Sequence, residues 1–260
     1  MTDNTFILYN QLPHILRARG FRLYLTNGKR LIDLWLNGGA AVLGHTPPNL
    51  LRELKNSASR GLYAPFPHFT QQRFLKTLSK LLPEHNFRFY AAPPPEVVSL
   101  FNSGGAKLWR PYQDFANPFA VNNAPLIIPV LPGIQTWRNG LPFGLCVTAV
   151  KSDLDLPQND ALSPITLAIA ARGAHDLLAA PERVKPVFQR INKMLHNSVW
   201  QRRGIYLNLK DHPAPETWQT LFNQFLEAGF LLPPDPSFPL ILPGEISKGE
   251  EQKLASVLAI

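Results

Sequence analysis

Gly20-Phe-Arg-Leu-Tyr-Leu-Thr-Asn-Gly-Lys-Arg-Leu-Ile-Asp33 alternates apolar and polar residues on either side of an Asn27-Gly28 pair. Successive side chains of a strand face opposite ways, so Phe21 to Leu25 and Arg30 to Trp35 read as two half-buried strands. Asn-Gly is the pair that a tight type I′ turn favours, and the stretch is therefore predicted as a β-hairpin.

Downstream, Thr46 precedes Pro47 and Pro48, and Leu50, Leu51 and Leu54 recur at helical spacing until Gly61, which predicts a capped amphipathic helix. A second helix is expected over Thr70 to Leu82, with Phe74, Leu75, Leu78 and Leu82 inward. Phe87 to Tyr90 reads as a short strand running into Pro93-Pro94-Pro95, and Glu96 to Asn102 as a brief helix closed by Gly104-Gly105. Lys107 to Asn123 has no clear period. Leu126 to Leu131 and Gly144 to Val150 read as buried strands, and Ser163-Pro164 opens an alanine-rich helix to Leu178. The last third is expected to hold a helix from Pro181 to His196, a strand from Gly204 to Leu209 and a helix from Pro215 to Ala228. Strands follow near Phe230 and over Phe238 to Leu242, and Ser247 and Glu250 form the capping box of a closing helix. Trp218, Leu221, Phe222 and Phe225 on one helix, and Leu254, Val257 and Leu258 on the other, form core stripes.

Of 260 residues, 45% are hydrophobic and 17% charged, enough for a buried core and too apolar for a disordered chain. The opening Met-Thr-Asp-Asn has no basic region before a long apolar run, and Pro125 to Leu131 is far shorter than a membrane span. A cytoplasmic protein with no membrane segment is expected. The single cysteine, Cys146, cannot form an internal disulfide and reads as a buried, inert thiol. The net charge of +8 comes from scattered basic residues with short clusters at Arg17/Arg19/Arg22 and Arg202/Arg203, a solvated surface in preference to a nucleic-acid footprint.

The Gly20 to Asp33 string, followed by Leu43-Gly44-His45 and Pro48, resembles the opening of the class III pyridoxal-phosphate aminotransferases, particularly the glutamate-semialdehyde aminomutase branch. Arg203-Gly-Ile-Tyr-Leu-Asn-Leu, Phe225 to Pro234 and Phe238 onward resemble the small C-terminal domain of the same family, and Ser163 to Leu178 its connecting helix. The resemblance implies an α/β protein with a reduced fold-type-I transferase architecture, a central mixed sheet and a smaller α+β C-terminal domain, assembled as a homodimer. The expected divisions are residues 1–83 (hairpin and helices), 84–200 (a shortened large-domain core) and 201–260 (the small domain). Tyr63 to Phe69, an aromatic and proline loop, corresponds to a family region near the dimer contact.

In that family a lysine forms a Schiff base with the cofactor, an aspartate pairs with its pyridine nitrogen, and a Ser-Gly-Thr turn at a helix start holds its phosphate. Gly140-Leu-Pro-Phe-Gly144 resembles the segment just after the lysine, which puts Gln135 in the lysine's place, with no nucleophilic amine. A second register aligns residues 134–140 with the aspartate strand, and then Pro132 and Gly133 hold the acidic positions. The phosphate turn also has two alignments. One puts Pro93-Pro94-Pro95 where amide donors belong; the other makes Ser103, Gly104 and Gly105 the turn. In both, the stretch between turn and Gln135 is much shorter than the family's. By the same resemblance Asn159 takes the place of a threonine that the family contributes to a neighbouring subunit's phosphate site, a mild departure because asparagine can still bond phosphate.

Lys107 and Lys151 are the stand-in amines for a displaced cofactor site, and each reads first as a solvated surface lysine. The seven histidines show no close metal-ligand spacing, and Asp153, Asp155 and Asp160 read as a hydrated loop, so no metal is expected. The reading is a noncatalytic aminotransferase-like protein, a pseudoenzyme with a degenerate active site and a binding, regulatory or structural role. No cofactor and no nucleic-acid partner are expected, and the ligand is unidentified; a pyridoxal-phosphate aminotransferase, or another enzyme using a remodelled cleft, is the alternative.

Overall fold

The computed structural model describes residues 7–114, 116–121, 123–133, 135–151, 154–180 and 188–259. After a 3₁₀ turn over Ile7–Gln11 the chain forms β1 (Ile15–Arg19), β2 (Arg22–Leu25), β3 (Arg30–Asp33), α1 (Pro48–Ser59), α2 (Thr70–Leu81) and β4 (Asn86–Tyr90). Its middle holds α3 (Pro95–Asn102), β5 (Ala106–Trp109), β6 (Leu126–Pro129), β7 (Thr136–Arg138), β8 (Leu141–Phe143), β9 (Cys146–Val150) and α4 (Pro164–Leu178). Then come α5 (Gln189–Met194), β10 (Trp200–Arg203), β11 (Tyr206–Leu209), α6 (Pro215–Glu227), β12 (Phe230–Leu231), β13 (Leu240–Ile241) and α7 (Lys248–Leu258). This is a mixed α/β chain in two compact units, residues 1–46 with 182–260, and residues 47–181.

In the first unit the sheet order is β1-β2-β3-β12, with β12 parallel to β3, so a strand near the C-terminus completes the N-terminal hairpin. The expected hairpin forms, but its turn is a three-residue loop. Leu25 N–H donates to the Lys29 carbonyl at 3.0 Å, and Gly28 N–H to Leu25 at 3.1 Å. Gly28 is left-handed at φ 77° while Asn27 is not, which rules out type I′. Asn27 Oδ1 instead accepts the Lys29 N–H at 3.1 Å. A second sheet, β10-β11-β13, takes in Arg202 and Arg203 as strand residues paired with β11. Trp218, Phe222 and Phe225 of α6 and Leu254, Ala255 and Leu258 of α7 are buried. The Ser247/Glu250 capping box is present, and Glu250 also pairs with Arg22 at 2.8 Å. Of the helix expected over residues 181–196, the described part is α5 and a 3₁₀ turn over Leu195–Asn197; residues 181–187 lie outside the described residues.

In the second unit the sheet order is β4-β9-β6-β5, with β5 and β6 parallel and β9 antiparallel to both β4 and β6. β5 lies where the sequence shows no period. Both faces are covered. Tyr90, Leu126, Ile128, Cys146 and Val150 cluster with Val97 of α3, while Phe89 stacks on Phe74 of α2 with ring centroids 5.2 Å apart. That explains why β6 and β9 are buried at every residue and carry no polar alternation. α4 is capped by Ser163, which accepts the Thr166 N–H at 3.3 Å. Thr46 does not cap α1: Pro47 holds the cap position with no side-chain bond, and Pro48, at the first helical position, has no N–H that needs one. Among the described residues no helix is long and apolar enough to cross a membrane.

Candidate functional site

The motif that begins the chain closes on itself. Asp33, at the end of β3 and 2% exposed, turns one carboxylate oxygen back onto the Trp35 and Leu36 amides, at 2.8 and 3.0 Å. Its other oxygen meets His45 Nε2 at 2.8 Å. His45 N–H donates to the Gly20 carbonyl at 2.8 Å, and a Cβ on Gly44 would stand 3.1 Å from that same oxygen. Leu36, Asn37, Gly38 and Gly39 all have positive φ (46°, 50°, 64° and 108°), a left-handed run that the Asp33 carboxylate tethers. The carboxylate–imidazole pair is thus a brace, with no nucleophile beside it among the bonds of either group.

β4 leads through residues 91–94 into α3, a strand–turn–helix of the kind that can cradle a phosphate. Here the helix start is Pro94 at the cap and Pro95 at the first helical position, neither with an N–H. Two donors at the end of β4 are taken from within the chain. Asn159 Oδ1 accepts the Phe89 N–H at 2.9 Å, and Asp160 Oδ2 accepts the Ala91 N–H at 2.7 Å. In the alignment that puts the phosphate turn here, a carboxylate therefore lies at the turn, where it would repel a phosphate. Ser103 and Gly104 end α3: their amides donate to Ser99 and Phe101, at 3.0 and 3.2 Å, and Ser103 Oγ donates to the Leu100 carbonyl at 3.1 Å. Gly105 continues into β5, its carbonyl accepting from Leu126. A helix C-terminus carries partial negative charge, unfavourable to an anion.

Gln135 lies between β6 and β7 and is 4% exposed. Its Oε1 accepts the Leu131 N–H at 3.3 Å and its Nε2 donates to the Leu145 carbonyl at 3.1 Å. The amide ties the end of β6 to the entry of β9, a task that needs a donor and an acceptor on one side chain. A lysine ammonium has three donors and no acceptor. Replacing Gln135 with leucine leaves two buried backbone groups without this partner, at roughly 1–3 kcal/mol each. Urea denaturation is expected to show a loss of about 2 kcal/mol or more.

The remaining candidates are dispersed. Lys107 and Lys151 are exposed, Lys107 on the edge strand β5. Cys146 is buried, and burial pushes its thiol up to about 12, far from a reactive thiolate. Arg202 stacks over Phe188, 5.2 Å from the ring centroid, and donates to the Gly204 carbonyl at 2.7 Å. Burial lowers its pKa. Asp153 lies outside the described residues, and among those described no group of acidic, histidine or cysteine side chains could hold a metal ion.

No family model matches the chain. It is 28% identical over 250 residues to an uncharacterized protein of Borreliella burgdorferi, covering 94% of this chain and 89% of that one. It is 26% identical over 161 residues to the glutamate-1-semialdehyde 2,1-aminomutase of Sorangium cellulosum, a match spanning 61% of this chain and 37% of the aminomutase. Among solved structures, the ornithine delta-aminotransferase of Plasmodium falciparum superposes with a TM-score of 0.66 at 11% identity, over 95% of this chain and 92% of that one.

The chain has the fold of the pyridoxal-phosphate-dependent aminotransferases. Within that fold the resemblance puts the cofactor's covalent anchor at residue 135 and its phosphate at a turn after β4 or after α3. At those positions the side chains named do not fit the group. Gln135 supplies no amine, Pro94 and Pro95 have no N–H, Asp160 holds the Ala91 amide, and the Ser103 and Gly104 amides already close a helix.

Proposed function

We propose that this chain is a noncatalytic aminotransferase-like protein, a reduced relative whose role is binding, regulatory or structural. The observation that carries the reading is Gln135: a buried amide, bonded at both ends to backbone, in the place that the resemblance gives to the Schiff-base lysine. Asp160 on the Ala91 amide and the proline-capped start of α3 support it from the phosphate end. A chain with neither anchor binds no pyridoxal phosphate, and the protein is proposed to act as a cytoplasmic homodimer without it.

The test is a titration with stoichiometric pyridoxal phosphate, read by absorbance. Free cofactor and protein spectra are expected to add, with no aldimine band. A band that disappears in Lys107→Ala or Lys151→Ala would instead establish a displaced cofactor lysine and an enzyme of the aminotransferase class.

A further inference from the structure

α2 and α4 pack side by side, and the groove along them, about 540 Å³, is lined by Arg73, Lys76, Lys80, Arg172 and His175 over an apolar floor that includes Ala171 and Leu178. Its volume lies in the range of small-molecule sites. The two arginines have carboxylate partners. Arg73 meets Glu53 at 3.6 Å, and Arg172 donates from Nε to Asp176 at 2.9 Å. Lys76 and Lys80 have no acidic partner among the described residues.

Those lysines stand one helical turn apart on α2, with Arg73 a further turn back, so three cations share one face. Like charges at this spacing destabilise a helix. Lys80 lies in the last turn of α2, where it offsets the negative helix end, but Lys76 lies before that turn and has no such role. His175 adds a directed donor: its Nδ1 lies 3.1 Å from an Arg172 nitrogen, which can only donate. Nδ1 is then the acceptor, and the proton of the neutral ring is on Nε2.

We propose that the α2–α4 groove binds a phosphate monoester with a small apolar body. The phosphate is held between Lys76 and Lys80 with His175 as a further donor, and the body lies on Ala171 and Leu178. Two lysines without counter-charges match a dianion, and the apolar floor distinguishes the ligand from inorganic phosphate.

The probe is phenyl phosphate, followed by calorimetry at physiological salt. It has no aldehyde, so its binding reads the groove independently of the amine chemistry that tests the noncatalytic reading. Saturable binding is expected, about tenfold tighter than that of inorganic phosphate, and weakened by about tenfold or more in Lys76→Ala/Lys80→Ala. Lys193→Ala/Lys253→Ala, which removes two exposed lysines of the other unit, is expected to bind as the parent does. All four side chains are exposed, so both variants keep the fold, which circular dichroism checks. Absence of saturation, binding that survives loss of Lys76 and Lys80, an equal loss in the control pair, or equal affinity for inorganic phosphate would each overturn the proposal.

Discussion

Gly173→Ala is expected to lower the stability of the chain by about 3 kcal/mol or more, as overpacking against fixed backbone does at its severe end. A Cβ built on Gly173 falls 1.7 Å from the Pro132 carbonyl oxygen and 2.6 Å from its carbon. The obstacle is main chain, so no rotamer change relieves it; α4 must lift away from the segment after β6. That movement would also separate Gly133 from Ile169 and Ala170, whose atoms lie within 4 Å of the Cβ position of Gly133. Gly249 in α7 is the control, because a Cβ there meets nothing within 4 Å. Gly249→Ala should leave stability unchanged or raise it by up to about 1 kcal/mol. Urea denaturation followed by tryptophan fluorescence measures both. A Gly173→Ala protein within about 1 kcal/mol of the parent would mean that α4 does not press on Pro132 as described. The contact matters for the candidate site because the segment that α4 clamps runs directly into Gln135.

Features set by neighbouring residues were legible in the sequence. The Ser247/Glu250 capping box and the Ser163 cap need only a side chain and an amide three residues on, and both form. The N-terminal hairpin was legible as a hairpin, while its turn class was not, since the Asn-Gly pair also suits a three-residue loop in which glycine alone is left-handed. The same pair at Asn139-Gly140, with φ of 51° and 76°, turns β7 into β8, and that hairpin was available to the rule applied at residues 27–28. β1 and β5 were beyond local reading. Each is a short edge strand paired on one side: β1, largely exposed, has no apolar alternation and is held by the adjacent β2, while β5 is held by β6 from further along the chain.

The candidate site divides in the same way. Gln135 was identifiable by its distance from Gly140-Leu-Pro-Phe-Gly144, but not its two backbone bonds, which depend on β6 and β9 converging. Ser103-Gly104-Gly105 matches a phosphate turn as a string, but the competing reading, a glycine closure of the Glu96 to Asn102 helix, was also legible, and the Ser103 and Gly104 amides decide for it. The cationic face of α2 is readable as Arg73, Lys76 and Lys80 at helical spacing. Its groove is not, because Arg172 and His175 come from a helix far along the chain.

Asp33→Ala is expected to be the second severe substitution, costing about 3–5 kcal/mol. The carboxylate accepts the Trp35 and Leu36 amides and meets His45 from a position 2% exposed, so alanine leaves two N–H groups and an imidazole without it. Each buried unsatisfied group costs roughly 1–3 kcal/mol. The loss also loosens the tether on Leu36 and Asn37, whose left-handed backbone is unfavourable by roughly 1–3 kcal/mol apiece and persists only while its surroundings hold it. Asp33→Asn separates shape from charge. Its amide oxygen can keep both backbone bonds and its NH2 can donate to His45 Nε2 in the other tautomer, so most of the stability should return. His45→Ala, which leaves the amide bonds in place, should fall between the two. Denaturation midpoints of the three variants decide the matter. If Asn destabilised as much as Ala, the negative charge and not the hydrogen-bond geometry would be what Asp33 contributes. The ranking Ala, then His45→Ala, then Asn identifies the Gly20 to His45 motif as a structural brace, set by hydrogen bonds internal to the fold and needing no bound cofactor to form.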